Sequence, residues 1–156
     1  MDGTTADSVF VRFSGAIYNR WDYDSEQKVY YRNVDAQDDI NGTNEVYVPH
    51  IDALNGTQVF TDNIVILISE YKEMDGPTIT SPELIGTGTA YVARNGILIE
   101  CQWIREYPND MVKLIGDDKQ PIQLKPGRTW YEVLNIGSKV STDDKGTWRV
   151  VNYMPE

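Results

Sequence analysis

The sequence predicts a mostly β protein: an antiparallel bent sheet or partly closed barrel of about eight strands, with at most short helices. Three observations predict it. Apolar residues recur with period two nearly everywhere, and turn signals fall at close intervals. No window of about a dozen residues carries an apolar stripe at helical spacing.

In chain order, Trp21-Asp22-Tyr23 and Tyr30-Tyr31-Arg32 place large rings on both faces of neighbouring strands. The polar stretch from Asp35 to Glu45 has room for a short helix. Val65 to Leu67, with apolar neighbours on both sides, reads as a central strand covered on both faces. Ser81-Pro82-Glu83 offers an N-cap and a first-position proline for another short helix ending near Leu84.

Ile97, Ile99, Cys101 and Trp103 share one face of a run whose other face is Leu98, Glu100, Gln102 and Ile104. Tyr131, Val133 and Asn135 alternate with Trp130, Glu132 and Leu134, and Trp148 and Val150 with Thr147, Arg149 and Val151. Asn95-Gly96 is the best hairpin candidate, because a type I′ turn needs positive φ at both central residues. Asn41-Gly42, Asn55-Gly56, Asp75-Gly76, Pro126-Gly127 and Lys145-Gly146 mark further turns. No linker, repeat or composition shift divides residues 1–156, which read as a single domain with 1–8 and 154–156 as flexible ends.

Charge narrows the function. The net charge is −10 and the isoelectric point near 4.5. Such a field repels phosphate backbones and anionic headgroups, and the scattered Lys and Arg form no basic stripe, so nucleic acid is excluded as a partner. The longest apolar run, Ile64 to Ile68, is five residues, which excludes direct membrane insertion of this domain by a helix. One cysteine, Cys101, allows no intrachain disulfide, and its strand face makes it a small buried hydrophobe.

Catalytic and metal motifs are sparse. His50 is the only histidine, and Asp52 two residues on shares its side of a strand, as a base oriented by an acid would. No Gly-x-Ser-x-Gly elbow supplies a nucleophile, and a structural hydrogen-bond pair explains the spacing as well. Asp22-Tyr23-Asp24-Ser25-Glu26 opens like a calcium loop, but Gln27 and Asn33 stand where glycine and glutamate are required. The pairs Asp38-Asp39, Asp117-Asp118 and Asp143-Asp144 read as solvated turns, so no metal and no cofactor is expected. Gly86-Thr87-Gly88 lacks the third glycine and the lysine of phosphate-binding loops, and reads as a strand bend. Ten tyrosines and four tryptophans against three phenylalanines are the distinctive surplus, since such rings suit binding faces as well as core margins.

Together, Trp21-Asp22-Tyr23-Asp24 leading to Tyr31-Arg32, His50-Ile51-Asp52, Asn63-Ile64-Val65, Gly86-Thr87-Gly88, and Asn95-Gly96 ahead of Trp103 form an ordered pattern. It continues from Asp117 to Trp130 through Pro121-Ile122, Leu124, Pro126-Gly127 and Thr129-Trp130. In order and spacing, from Tyr18 to Gly137, it resembles the C-terminal domain of the YerB-like bacterial lipoproteins, a domain of unknown function. Two departures stand out: Cys101 where the family pattern tends to glycine, and a longer insert from Asp35 to Tyr47.

The resemblance implies an excised C-terminal domain of a larger lipoprotein, extracytoplasmic and lipid-anchored to the bacterial cell membrane through a missing N-terminal region. It brings no reaction with it. The expected function is a non-catalytic binding or interaction module of the cell envelope. A cell-wall glycan, a peptide, an envelope protein or the chain's own N-terminal domain would be the partner. Ligand-binding candidates are Trp21, Tyr23, Tyr31, Arg32, His50, Asp52, Asn63 and Trp103. The alternatives are a hydrolase- or lyase-like site around His50 and Asp52, and a structural domain packing on the missing one.

Overall fold

Each alternating run named above is a strand in the computed structural model, which describes residues 3–74, 76–143 and 145–154. The chain begins with β1 (Thr4–Thr5), β2 (Ser8–Arg12), β3 (Tyr18–Asp24), β4 (Val29–Asp35) and β5 (Tyr47–Pro49). Next come β6 (Phe60–Thr61), β7 (Asn63–Ser69), β8 (Tyr71–Met74), β9 (Gly76–Pro82) and β10 (Gly86–Arg94). It finishes with β11 (Ile97–Arg105), β12 (Lys113–Ile115), β13 (Thr129–Asn135), β14 (Lys139–Thr142) and β15 (Thr147–Val151). The protein is all-β, as expected, with fifteen strands rather than eight among the described residues. The surplus is short: β1, β5, β6, β8, β12 and β14 hold two to four residues each, too few to show a period.

Two open sheets result, and neither closes into a barrel. The first runs β1-β11-β10-β7-β13, with β12 beside β11; the second runs β14-β15-β2-β3-β4-β5, with β6 also on β4. Most neighbours are antiparallel, but β13 lies parallel to β7 and β15 parallel to β2. β8 and β9 make a separate two-stranded arm.

One core lies between the sheets, built on Val9, Val11, Trp21, Tyr30, Ile64, Ile66, Leu134 and Val150. A second covers the outer face of the first sheet, where Leu114 and Ile122 pack on Val65, Leu67, Cys101 and Trp103. β7 is therefore buried on both faces, which its unbroken apolar sequence required. Cys101 is 2 % exposed, and burial first, then Glu100 and Asp117, push its thiol up to about 11.

The Asn95-Gly96 turn forms as predicted, with φ of 52° and 74° between the paired Arg94 and Ile97. The N-terminal residues, expected to be loose, are held where they are described. Thr4 and Thr5 pair with Leu98 and Ile97, Ala6 is fully buried, and Ser8 opens β2. Met1, Asp2, Asp75 of the Asp75-Gly76 turn, Asp144, Pro155 and Glu156 lie outside the described residues.

Neither short helix forms. Ser81 and Pro82 belong to β9, paired with Lys72 and Tyr71. In the 36–46 stretch the Asp39 carboxylate accepts from the Thr43 and Asn44 amides, and its carbonyl accepts from Gly42. Polar side chains bonding their own backbone compete with a helix. The segment is clamped to the second sheet instead: Arg12 donates to Asp39 and Glu45 at 2.9 and 2.8 Å, and Arg149 holds Glu45 with both terminal nitrogens. Burial alone would raise the Glu45 carboxyl, but Arg149, Tyr47 and Arg12 together hold it at about 2. Its folded pKa being depressed, Glu45 contributes stability fully above the ordinary carboxylate range, and that stability fades as pH falls toward 2. Glu45→Gln is expected to cost about 2 kcal/mol at neutral pH, since bonds to a charged group are weakened. Hydrogen exchange should speed up across 36–46, while unchanged exchange there would show that the clamp is idle.

Candidate binding surface

Strand alternation divides β4 between two environments: Tyr30 and Arg32 face the sheet interface, while Tyr31 and Asn33 face out. The Arg32 guanidinium carbon lies 4.7 Å from the Trp130 ring centroid and 5.7 Å from that of Trp21. Its Nη1 is 2.7 Å from His50 Nδ1. Arginine only donates, so Nδ1 accepts and His50 carries its proton on Nε2.

Burial first and the Arg32 charge second lower the His50 pKa below 6.5, with Asp52 opposing them. The unfolded chain therefore takes up the proton more readily than the folded one. The stability this contributes is complete above pH 6.5 and is lost as pH falls through the lowered folded value. Stability of the wild type is expected to decline more steeply than that of His50→Gln in this window. Parallel pH profiles from thermal unfolding would contradict the Arg32–His50 account.

Asp52 serves a turn: Oδ1 accepts from the Leu54 amide at 2.8 Å, and Oδ2 from Asn55 Nδ2 at 3.0 Å. Among the described residues no hydrogen bond joins it to His50. Asn63 is fully buried and pins the loop before β13, its Oδ1 accepting from the Lys125 amide and its Nδ2 donating to the Lys125 carbonyl, both at 2.8 Å. Trp21 is 0 % exposed and donates Nε1–H to Glu132, while Trp103 is 2 % exposed and donates to the Ile68 carbonyl. Both indoles, candidates on sequence grounds, belong to the cores; among the described residues Trp21 reaches no cleft, while Trp103 contributes to the lining of a groove with Ile68, Gly88 and Ile136. Tyr23 packs on the first core, half-buried, with its ring 5.0 Å from that of Tyr30.

Tyr31 has the outward place. Its ring is half-buried, its hydroxyl donates to Gln27 Oε1 at 3.0 Å, and its register partner on β6 is Phe60. The two rings are tilted with centroids 6.0 Å apart, and the Arg128 guanidinium lies 4.2 Å from the Phe60 centroid. Tyr31, Phe60 and Arg128 thus form a continuous row. On one side is an open cleft of about 470 Å³ with Tyr31, Asp22, Asn33 and Gln58 in its lining. On the other is a cleft of about 270 Å³ bounded by Phe60, Arg128, Trp130, Asn55 and Thr57, and Gln58 reaches both.

Sequence reading found Tyr31 but missed Phe60, Gln58 and Arg128. β6 has two residues and Arg128 follows a turn, so no period marks them. It also passed over Glu132, 4 % exposed between the sheets; burial pushes that carboxyl up, against Trp21 and Arg32. A signal existed, because Glu132 shares the face of Trp130 and Leu134.

The acidic run is committed to structure. Asp22 accepts from Ser8, Arg20 and Asn33, and Asp24 Oδ1 from the Glu26 and Gln27 amides. Among the described residues no three His, Cys, Asp or Glu side chains gather as a metal site.

The fold is similar to the crystal structure of YerB protein from Bacillus subtilis, with a TM-score of 0.67 and 20% identity. The match covers 86% of this chain and 42% of that one, so this chain spans less than half of the YerB structure. No curated protein matches the chain. A family model described as "protein of unknown function (DUF3048) C-terminal domain" matches residues 9–131, and the chain belongs to that family.

Proposed function

We propose that this domain is a non-catalytic binding module of a bacterial cell-envelope lipoprotein, and that its contact surface is the Tyr31–Phe60–Arg128 row. The observation that carries the reading is the outward Tyr31 ring in an open cleft whose wall is Asp22, Asn33 and Gln58. A ring face next to planar amide and carboxylate groups suits a sugar, which offers C–H bonds on its faces and hydroxyls on its rim. A cell-wall glycan is the ligand we propose. The extracytoplasmic, lipid-anchored setting is part of the proposal and rests on the family resemblance.

The hydrolase- or lyase-like alternative draws no support from this geometry. His50 Nδ1 already accepts from Arg32, and Asp52 holds its own turn.

Retention on purified peptidoglycan tests the reading. The wild-type domain should sediment with the sacculi. Tyr31→Ala and Phe60→Ala should each lose about tenfold in affinity, the equivalent of 1.4 kcal/mol, while still folded. Equal retention of the folded variants, or none by the wild type, would move the function to a protein partner.

A further inference from the structure

Most arginines of this chain spend the guanidinium inside the protein. Arg12, Arg20 and Arg149 donate to carboxylates, Arg32 to His50, and Arg105 to the Pro108 and Asp110 carbonyls. Arg128 differs. Its guanidinium lies 4.2 Å from the Phe60 ring centroid, and among the described residues none of its side-chain N–H donors meets an acceptor. The backbone beneath it is fixed. The Arg128 amide donates to Asp62 Oδ2 at 2.9 Å, while its carbonyl accepts from the Asp62 and Asn63 amides, both at 3.1 Å, and from Thr61 Oγ1 at 3.0 Å. At Gly127, with φ of 138°, Asp62 stands where a Cβ would be, so glycine is what lets that carboxylate close on the turn.

The acids nearby are taken by other donors. Asp62 meets Lys125 Nζ at 2.8 Å. Burial alone would raise its carboxyl, but Lys125 and the Arg128 amide together hold it below the ordinary carboxylate range. Asp52, which lines the same cleft as Arg128, accepts from the Leu54 amide and from Asn55. Arg128 is thus a charge anchored at its backbone and laid on a ring, with its hydrogen-bonding edge uncommitted beside a cleft of about 270 Å³. At the Tyr31 end of the row the charge is reversed, because Asp22 and Asp24 line the cleft there.

We infer that Arg128 binds a carboxylate carried by the glycan, so that the row takes an acidic ligand and takes it in one orientation. The inference rests on the reading of the Tyr31 row as the glycan-binding surface. A planar guanidinium matches a carboxylate with two parallel hydrogen bonds, and bonds to an ionised acceptor are roughly twice as strong as those to a neutral hydroxyl. The fixed backbone and the Phe60 ring leave the side chain less freedom to lose on binding. Asp22 and Asp24 repel the same carboxylate, which places the sugar over Tyr31 and Phe60 and its acid at Arg128. Cell-wall glycan offers this group in two places, on the lactyl ether of its muramic acid and at the ends of its peptide stems. The shared chemistry is the carboxylate.

NMR of the ¹⁵N-labelled domain, following backbone amides and the Arg128 Nε–H, tests it. The probes are the disaccharide of N-acetylglucosamine and N-acetylmuramic acid with its lactyl carboxylate free, the same disaccharide with that group as a methyl amide, and the same again with it joined to a dipeptide ending in a free carboxylate. The expected result is that an acid-bearing probe binds about tenfold more tightly than the methyl amide and shifts the Arg128 Nε–H. Arg128→Gln should lose that preference while the probes still shift Tyr31 and Phe60. Preference for the free lactyl acid places the carboxylate on the sugar, and preference for the dipeptide form places it on the stem. Equal binding of all probes at Tyr31 and Phe60 would overturn the inference and leave the glycan reading standing. A preference that survives in Arg128→Gln would overturn it too, by assigning the acid to another residue. No shift along the row with any probe would overturn the inference and the glycan reading together.

Discussion

Trp21→Ala is expected to lower the unfolding free energy by about 3–5 kcal/mol, the usual range for emptying a buried tryptophan site. The indole is 0 % exposed, sits between the two sheets, and meets Trp130 edge-on at 5.2 Å. Removing it leaves a cavity and takes away the Nε1–H that Glu132 accepts at 3.2 Å. It also strips one ring from the Arg32 guanidinium. Trp21→Phe keeps most of the packing and loses the donor, so its cost should fall to about 1–3 kcal/mol, the penalty for a buried polar group left short of a partner. Denaturant unfolding of the two variants measures both quantities. A loss below about 1 kcal/mol for the alanine variant would mean that the interface relaxes into the space, contrary to close packing of the sheets.

Gly88→Ala is expected to cost about 3 kcal/mol although it adds a single methyl group. Overpacking contributes about 1–3 kcal/mol and loss of the Trp103–Ile68 hydrogen bond about 1 kcal/mol. The methyl has no room: an indole carbon and a backbone carbonyl oxygen stand within 2.8 Å of it. Either Trp103 leaves the second core or β7 and β10 part further. At Gly56, where nothing lies within 4 Å, the only obstacle is a φ of 71°, and alanine should cost about 1 kcal/mol there. Thermal unfolding of both variants gives the contrast, at about 2–4 °C per kcal/mol for a chain of this size. Equal shifts at the two glycines would mean that the indole is not wedged.

What could be read from the sequence was local. Alternation located β11, β13 and β15, the unbroken run at β7 gave its two-sided burial, and Asn95-Gly96 gave a hairpin with its register. The parallel contacts could not be read. β7 meets β13 and β2 meets β15 across long stretches of chain, and neither pairing leaves a mark within its strands.

The same limit shaped the site. Alternation says that Tyr30 and Tyr31 face opposite ways, yet it does not say which way the core lies. Only packing against the first sheet decides, by taking Trp21 and Tyr30 into the shared core and leaving Tyr31 outside. Phe60 and Arg128 reach Tyr31 through register and a loop, so no spacing in the sequence brings them together. The His50-Ile51-Asp52 spacing was visible, but the partner His50 takes, Arg32, sits on the neighbouring strand.

The most direct test of the binding account is amide shift mapping of the ¹⁵N-labelled domain with a soluble disaccharide fragment of peptidoglycan. The account predicts shifts concentrated at Tyr31, Gln58 and Phe60, abolished in a folded Tyr31→Ala variant. Shifts at other residues, or none at saturating sugar, would contradict it.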